Sequence, residues 1–167
     1  MLELLVTLFI VAIGVLGTAS LQALSLKMAQ AGQLRSQAVI AGLDLLERIE
    51  ANNPAAVAGS YAPATFPTTI TKDCAATLCL PSELATYDLV QVNTRLQAQL
   101  PGASATITVA GAGPFTYTIQ IDWEERIAKG VGTTVDSGVT SNVGATGKTE
   151  KFSYTVSKMY PDRALVI

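Results

Sequence analysis

The sequence predicts an α+β protein in which one long N-terminal helix and a second, shorter helix precede an antiparallel sheet. Three observations predict it. No proline interrupts the chain before Pro54, and helix-compatible residues fill that stretch. Residues 81–100 repeat apolar side chains at helical spacing, and residues 115–123 alternate apolar with polar side chains at period two.

The long helix has two halves. Residues 4–26 carry no charge; Glu3 precedes the run and Lys27 follows it. At about 1.5 Å per residue this run spans roughly 35 Å, enough for a hydrocarbon core of about 30 Å. A cleaved secretory signal is the competing reading, but the amino end lacks Lys and Arg and the apolar run is longer than such signals need. From Lys27 onward the pattern turns amphipathic. Leu34, Ala38, Ala41, Leu45 and Ile49 share one face, while Arg35, Asp44, Glu47, Arg48 and Glu50 supply polar surface. Asn52-Asn53-Pro54 ends the helix, because a residue before proline avoids the helical region.

Two features of the apolar half admit two readings each. Glu3 is either an interfacial carboxylate or the partner of a charge inside an assembly, since an ionisable group in apolar surroundings is costly unless paired. Gly14 and Gly17 each weaken a helix by about 1 kcal/mol relative to Ala. They serve close helix packing, or they mark a place where the helix stretches or bends.

Residues 55–70, rich in Ala, Pro and Thr, are expected to form a loop. The second helix is expected over residues 81–100, with Ala85, Leu89, Val92, Leu96 and Leu100 facing inward, Ser82 capping its start and Glu83 in its first turn. Pro101-Gly102 stops it. Strands are expected over residues 106–110, 115–123 and around Phe152, Tyr154 and Val156. Residues 129–148 are a long loop or a weak hairpin around Asp136-Ser137-Gly138.

Composition excludes several function classes. The 167-residue chain has a net charge of -2, so nothing resembles a nucleic-acid footprint. It has no histidine, which removes the usual general base and the commonest metal ligand at neutral pH. Gly111-Ala112-Gly113 leads into Pro114 and a strand, not into the helix a phosphate loop requires. Glu124 and Glu125 at a strand end are expected to be solvated, and Asp88 to be a surface or locally bonded group. No catalytic residue, metal site or cofactor is expected. Cys74 and Cys79 are too few for a structural zinc site, and their spacing is not the CxxC redox spacing. They are either free thiols in a reducing compartment or a small-loop disulfide in an oxidising one; the apolar N-terminal segment, which points to export, favours the disulfide.

Leu2-Glu3-Leu4-Leu5-Val6-Thr7-Leu8 at the head of a long apolar helix resembles the N-terminus of type IV pilins. More narrowly, Ile13-Gly14-Val15-Leu16-Gly17, Leu21-Gln22 and Leu34-Arg35-Ser36-Gln37-Ala38 resemble the minor pilins called type IV pilus modification protein PilV. The Cys74/Cys79 pair, the Leu84–Leu89 helix segment, Leu100-Pro101-Gly102 and the strand from Tyr117 to Trp123 follow in the order seen there. Val92 stands where this subfamily is expected to carry Trp. Pilin precursors carry a short leader ending in Gly, and their glutamate is the fifth mature residue. With Glu3 third, Met1 is expected to be an internal methionine, with the leader and two mature residues upstream.

The resemblance implies a division into residues 1–26, an apolar helix for membrane or filament core; 27–53, the amphipathic half of the same helix; and 54–167, a globular α+β pilin head. It implies a minor pilin that enters the type IV pilus and helps prime its assembly near the tip. A prepilin peptidase would process and methylate the precursor. The protein would sit as a single-pass subunit in the inner membrane of a Gram-negative bacterium before joining an extracellular pilus. Its partners would be other major and minor pilins, met through the N-terminal helix, with Glu3 pairing a neighbour's N-terminal amine. The alternatives are a major pilin or type II secretion pseudopilin, and a plain membrane-anchored extracytoplasmic binding domain.

Overall fold

The computed structural model describes residues 2–111, 113–125, 139–142 and 150–160. Seven elements follow one another in it: α1 (Leu2–Ala51), α2 (Asn53–Val57), α3 (Pro81–Gln99), β1 (Ser104–Ala110), β2 (Phe115–Glu125), β3 (Val139–Asn142) and β4 (Glu150–Tyr160). The chain forms two compact units, Met1–Arg35 and Ser36–Ile167. The first consists of the apolar part of α1. The second holds the rest of α1 and every other element.

α1 runs through Gly14, Gly17 and Gly32 without a break. It stops at Ala51, where the sequence predicts. The stretch after it is not all loop, as expected from its composition: Asn53–Val57 forms a short helix with Pro54 in its first turn. Proline suits that position, because its missing N–H has no partner in a helix's first turn and its fixed φ is already helical. The buried face of α1 in the second unit is Ala38, Ala41, Gly42, Leu45, Leu46 and Ile49. Four of these are the predicted residues; Leu34 is only half-buried.

Gly42 decides how closely α1 can approach the sheet. A Cβ built there would lie 3.0 Å from Tyr154 Cε1 and 3.3 Å from Val156 Cγ1. The glycine leaves room for two β4 side chains against the helix backbone, at a helix-propensity cost of about 1 kcal/mol.

α3 buries Ala85, Leu89, Val92 and Leu96, with Leu100 just beyond its end, as the spacing predicts. Its start differs. Leu80, not Ser82, occupies the N-cap, and Pro81 begins the helix. Glu83 reaches back to accept the Leu80 N–H at 2.7 Å, and the same carboxylate oxygen takes Lys72 Nζ at 2.7 Å. The acid thus satisfies the backbone donor of the N-cap residue, one half of a capping box; Leu80 has no side-chain oxygen to supply the other half.

The sheet has four strands in the order β1-β2-β4-β3, each pair antiparallel. β3, unexpected from the sequence, falls inside the stretch anticipated as a loop or weak hairpin; the proposed turn at residues 136–138 lies outside the described residues. β2 is central and buries Tyr117, Ile119, Ile121, Trp123 and Glu125 on one face. The burial of Glu125 corrects the expectation that this acid is solvated. It shares the inward face of β2 with Trp123, two residues away, and accepts the indole N–H at 2.8 Å. Trp123 stacks on Phe152 from the paired strand, with ring centroids 6.0 Å apart.

Two tyrosines bind sheet to helices through their hydroxyls. Tyr117 donates to Ala56 O at 2.6 Å and Tyr160 to Leu46 O at 2.8 Å. Their rings meet edge to face at 5.7 Å. Each therefore contributes an apolar body and satisfies a backbone acceptor.

Candidate assembly surface

The functional candidates lie on α1, and the first unit presents them. Large apolar side chains from Leu2 to Met28 are between 46% and 79% exposed, a surface far more extensive than the apolar patches of ordinary soluble monomers. By length and composition α1 can cross a membrane. Its polar side chains suit that setting. Thr7 Oγ1 donates to Leu4 O at 3.0 Å, Thr18 Oγ1 to Val15 O at 2.9 Å, and Ser20 Oγ to Gly17 O at 2.8 Å. These hydroxyls spend their protons on their own helix, so none of the three requires water as acceptor. In a hydrocarbon medium an unsatisfied donor would cost several kcal/mol.

Glu3 sits in the first turn of α1, where the helix dipole favours a negative charge. It is exposed. Gly14 and Gly17 face open space: a Cβ at either position would meet nothing within 4 Å. Among the described residues nothing packs on either glycine, in contrast to Gly42.

The second unit braces the other end of α1 with a polar network that sequence reading missed. Arg48 Nη1 lies 2.8 Å from Asp88 Oδ1, and its Nε lies 3.2 Å from Asp44 Oδ2. Arg95 reaches the same Asp44 oxygen at 3.1 Å. The second Asp88 oxygen accepts the Tyr61 hydroxyl at 2.7 Å. Asn52 Nδ2 donates to Tyr61 Oη at 3.2 Å and to Pro81 O at 2.8 Å. Asp88 is thus a buried partner of a cation forty positions earlier, not a surface group. Burial opposes the charge on Arg48, but Asp88 and Asp44 outweigh it and raise its pKa above the ordinary value. Burial, then the bond to Asp88, pushes the Tyr61 hydroxyl well above the usual phenol range. One signal was available in the sequence: Tyr61 is the only aromatic residue between Asn52 and Pro63.

Cys74 and Cys79 are joined by a disulfide, with Cα atoms 5.5 Å apart. The bridge closes a surface turn and does not stitch the core, because Ala75, Ala76, Thr77 and Leu78 are all exposed. Asp73 organises the turn, accepting the Ala75 N–H on its side chain at 3.0 Å and the Thr77 hydroxyl on its backbone carbonyl at 2.7 Å. Glu3, Gly14 and Gly17 belong to the first unit and the cysteines to the second.

A long apolar N-terminal helix packed through its second half on an antiparallel sheet is a mixed α+β arrangement consistent with the type IV pilin fold. Residues 20–90 match a family model described as Tt1218-like, type IV pilin Tt1218. The match takes in the later part of α1, α2, the disulfide turn and the first half of α3, somewhat less than half of the chain, and it supports a type IV pilin. No curated protein and no solved structure matches the chain significantly.

Proposed function

We propose that this chain is a minor pilin that enters a type IV pilus and helps prime its assembly near the tip. The observation that carries the proposal is the first unit: a helix whose large apolar side chains are exposed among the described residues, headed by one carboxylate. Such a helix suits two apolar surroundings in turn, a membrane and then a bundle of like helices. Lipid and helix bundle are similar solvents for it, so transfer between them costs little. Gly14 and Gly17 then serve close approach to neighbouring helices or local stretching of α1. The match to a type IV pilin model supports assembly with other pilins.

On this reading Glu3 pairs with the N-terminal amine of a neighbouring subunit. A carboxylate without a partner in an apolar bundle is costly, so the pairing sets the axial position at which the subunit docks. The precursor would be cut and methylated by a prepilin peptidase at the cytoplasmic side of a Gram-negative inner membrane. The narrower assignment is to the PilV type of minor pilin.

The test is Glu3→Ala. Membrane insertion should remain, and the amount of this chain in sheared pili should fall strongly. Wild-type levels of the variant in sheared pili would overturn the role of Glu3. Quantifying the native chain in purified filaments separates the readings further: a minor pilin is scarce, a major pilin dominates by mass, and an anchored binding domain is missing.

A further inference from the structure

Lys27 and Glu47 on α1 are exposed, and neither makes an ion pair or a side-chain hydrogen bond among the described residues. The other acids in the second half of α1 are engaged: Asp44 holds Arg48 and Arg95, and Glu50 holds Lys158. Glu47 shares a face with Ile40 and Leu43, which are 60% and 46% exposed. That face turns away from the buried Ala38, Ala41 and Leu45. Lys27 shares a face with Ser20 and Ala23. The Ser20 hydroxyl is already spent on Gly17 O, so this small surface accepts an apolar neighbour. A large apolar face thus ends in an anion, and a small one ends in a cation.

Resting on the pilin reading above, we propose that the face of Ile40, Leu43 and Glu47 docks on the face of Ser20, Ala23 and Lys27 in a second copy of this chain, with the helices parallel and Glu47 paired to Lys27. Charge fixes the register. Among the described residues Glu47 is the acid of that half left for a cation to take, and it lies twenty positions beyond Lys27. At about 1.5 Å per residue the stagger is roughly 30 Å. Size agrees with that register: Ile40 lies opposite Ser20, Leu43 opposite Ala23 and small Ser36 opposite Leu16, so large side chains meet small ones. Lipid is a worse occupant of this face, because it would strand Glu47. An antiparallel pair would also match Lys27 with Glu47, but it points the two apolar ends in opposite directions, and one membrane supplies both chains. The two faces differ, so the contact is heterologous and does not close; each copy offers one face to the copy above and the other to the copy below. The stagger is about the thickness of a hydrocarbon core, so two copies at one depth in a membrane cannot make the contact. It forms when one copy has risen beside the next.

Charge exchange in cells, each variant replacing the native chain, provides the test. Incorporation is read as chain in sheared pili relative to chain in the membrane. Lys27→Glu and Glu47→Lys should each cut incorporation about tenfold, since like charges then face each other. Lys27→Glu/Glu47→Lys in one chain should restore it, because every copy supplies both faces. A double variant as poor as the single ones, or single variants at the native level, would overturn the proposal. A second arm places Lys27→Cys and Glu47→Cys in one chain, where the bridged Cys74 and Cys79 do not compete. Mild oxidation should give a ladder of covalent oligomers in sheared pili and none in the membrane pool. Monomers alone, dimers alone (the product of an antiparallel pair), or an equal ladder from the membrane would overturn the proposal. Native chain missing from sheared pili would overturn the pilin reading and this contact together. Native chain present, with neither rescue nor ladder, would overturn the contact alone.

Discussion

Arg48 on α1 and Asp88 on α3 form an ion pair at 2.8 Å, with the Asp88 side chain only 10% exposed. Tyr61 donates to the other oxygen of the same carboxylate. Asp88 is the point where helix α1, helix α3 and the segment between them are held together by polar bonds. Asp88→Ala should destabilise the fold by about 2–3 kcal/mol, because it strands a half-buried guanidinium and removes the acceptor of Tyr61. Chemical denaturation followed by the fluorescence of Trp123, the chain's one tryptophan, measures it. The paired apolar replacement Arg48→Met/Asp88→Leu should recover part of the loss, since no unpaired charge remains.

Stability should also fall at alkaline pH. Burial, aided by Glu50 and Tyr117, pushes the Tyr160 hydroxyl up to about 12, and burial with the Asp88 bond raises Tyr61 as well. A folded pKa above the unfolded one means that the protonated phenol is what the fold stabilises. That contribution is complete below about pH 10, the ordinary phenol value, and declines as pH rises toward about 12. Denaturation midpoints should hold level from pH 8 to about pH 10 and fall above it. The fall should be shallower in Tyr160→Phe. An identical pH slope in that variant would contradict the assignment.

Glycines on α1 should separate into two kinds. Gly42→Leu inserts a side chain where even a Cβ would touch Tyr154 and Val156, and should cost about 2–3 kcal/mol. Gly14→Ala meets nothing among the described residues and should raise helix stability by up to about 1 kcal/mol. Its cost should appear only in filaments, as reduced incorporation at normal membrane levels. Comparing melting temperature with the amount in sheared pili reads both effects; a stability loss in Gly14→Ala would show that the helix is packed by its own chain.

The disulfide should matter modestly to folding. It closes a short turn, and loop-closure entropy gives about 2 kcal/mol for a ring of that size. Cys74→Ser/Cys79→Ser should lower stability by that order. Leu78→Ser on the same turn should change it by less than about 0.5 kcal/mol, since Leu78 is 97% exposed. Thermal denaturation of the two variants beside the native chain distinguishes these effects.

The sequence by itself determined the elements whose pattern is local. The unbroken helical run before Pro54, the five inward positions of the second helix and the period-two strand from Phe115 to Trp123 each repeat within a few residues, and a single chain periodicity reveals them. The apolar N-terminal surface and its lone Glu3 were legible for the same reason. Tertiary structure alone decided where polar groups find partners. Asp88 looked like surface because its cation lies on another helix, and Glu125 looked solvated because charge outweighs strand alternation in a local view. Only the folded chain shows Gly42 as the contact point with Tyr154 and Val156, or Leu80 as the cap that Glu83 completes. Periodicity encodes which side of an element is buried, while ion pairs, caps and close approaches depend on residues far apart in sequence whose meeting only packing specifies.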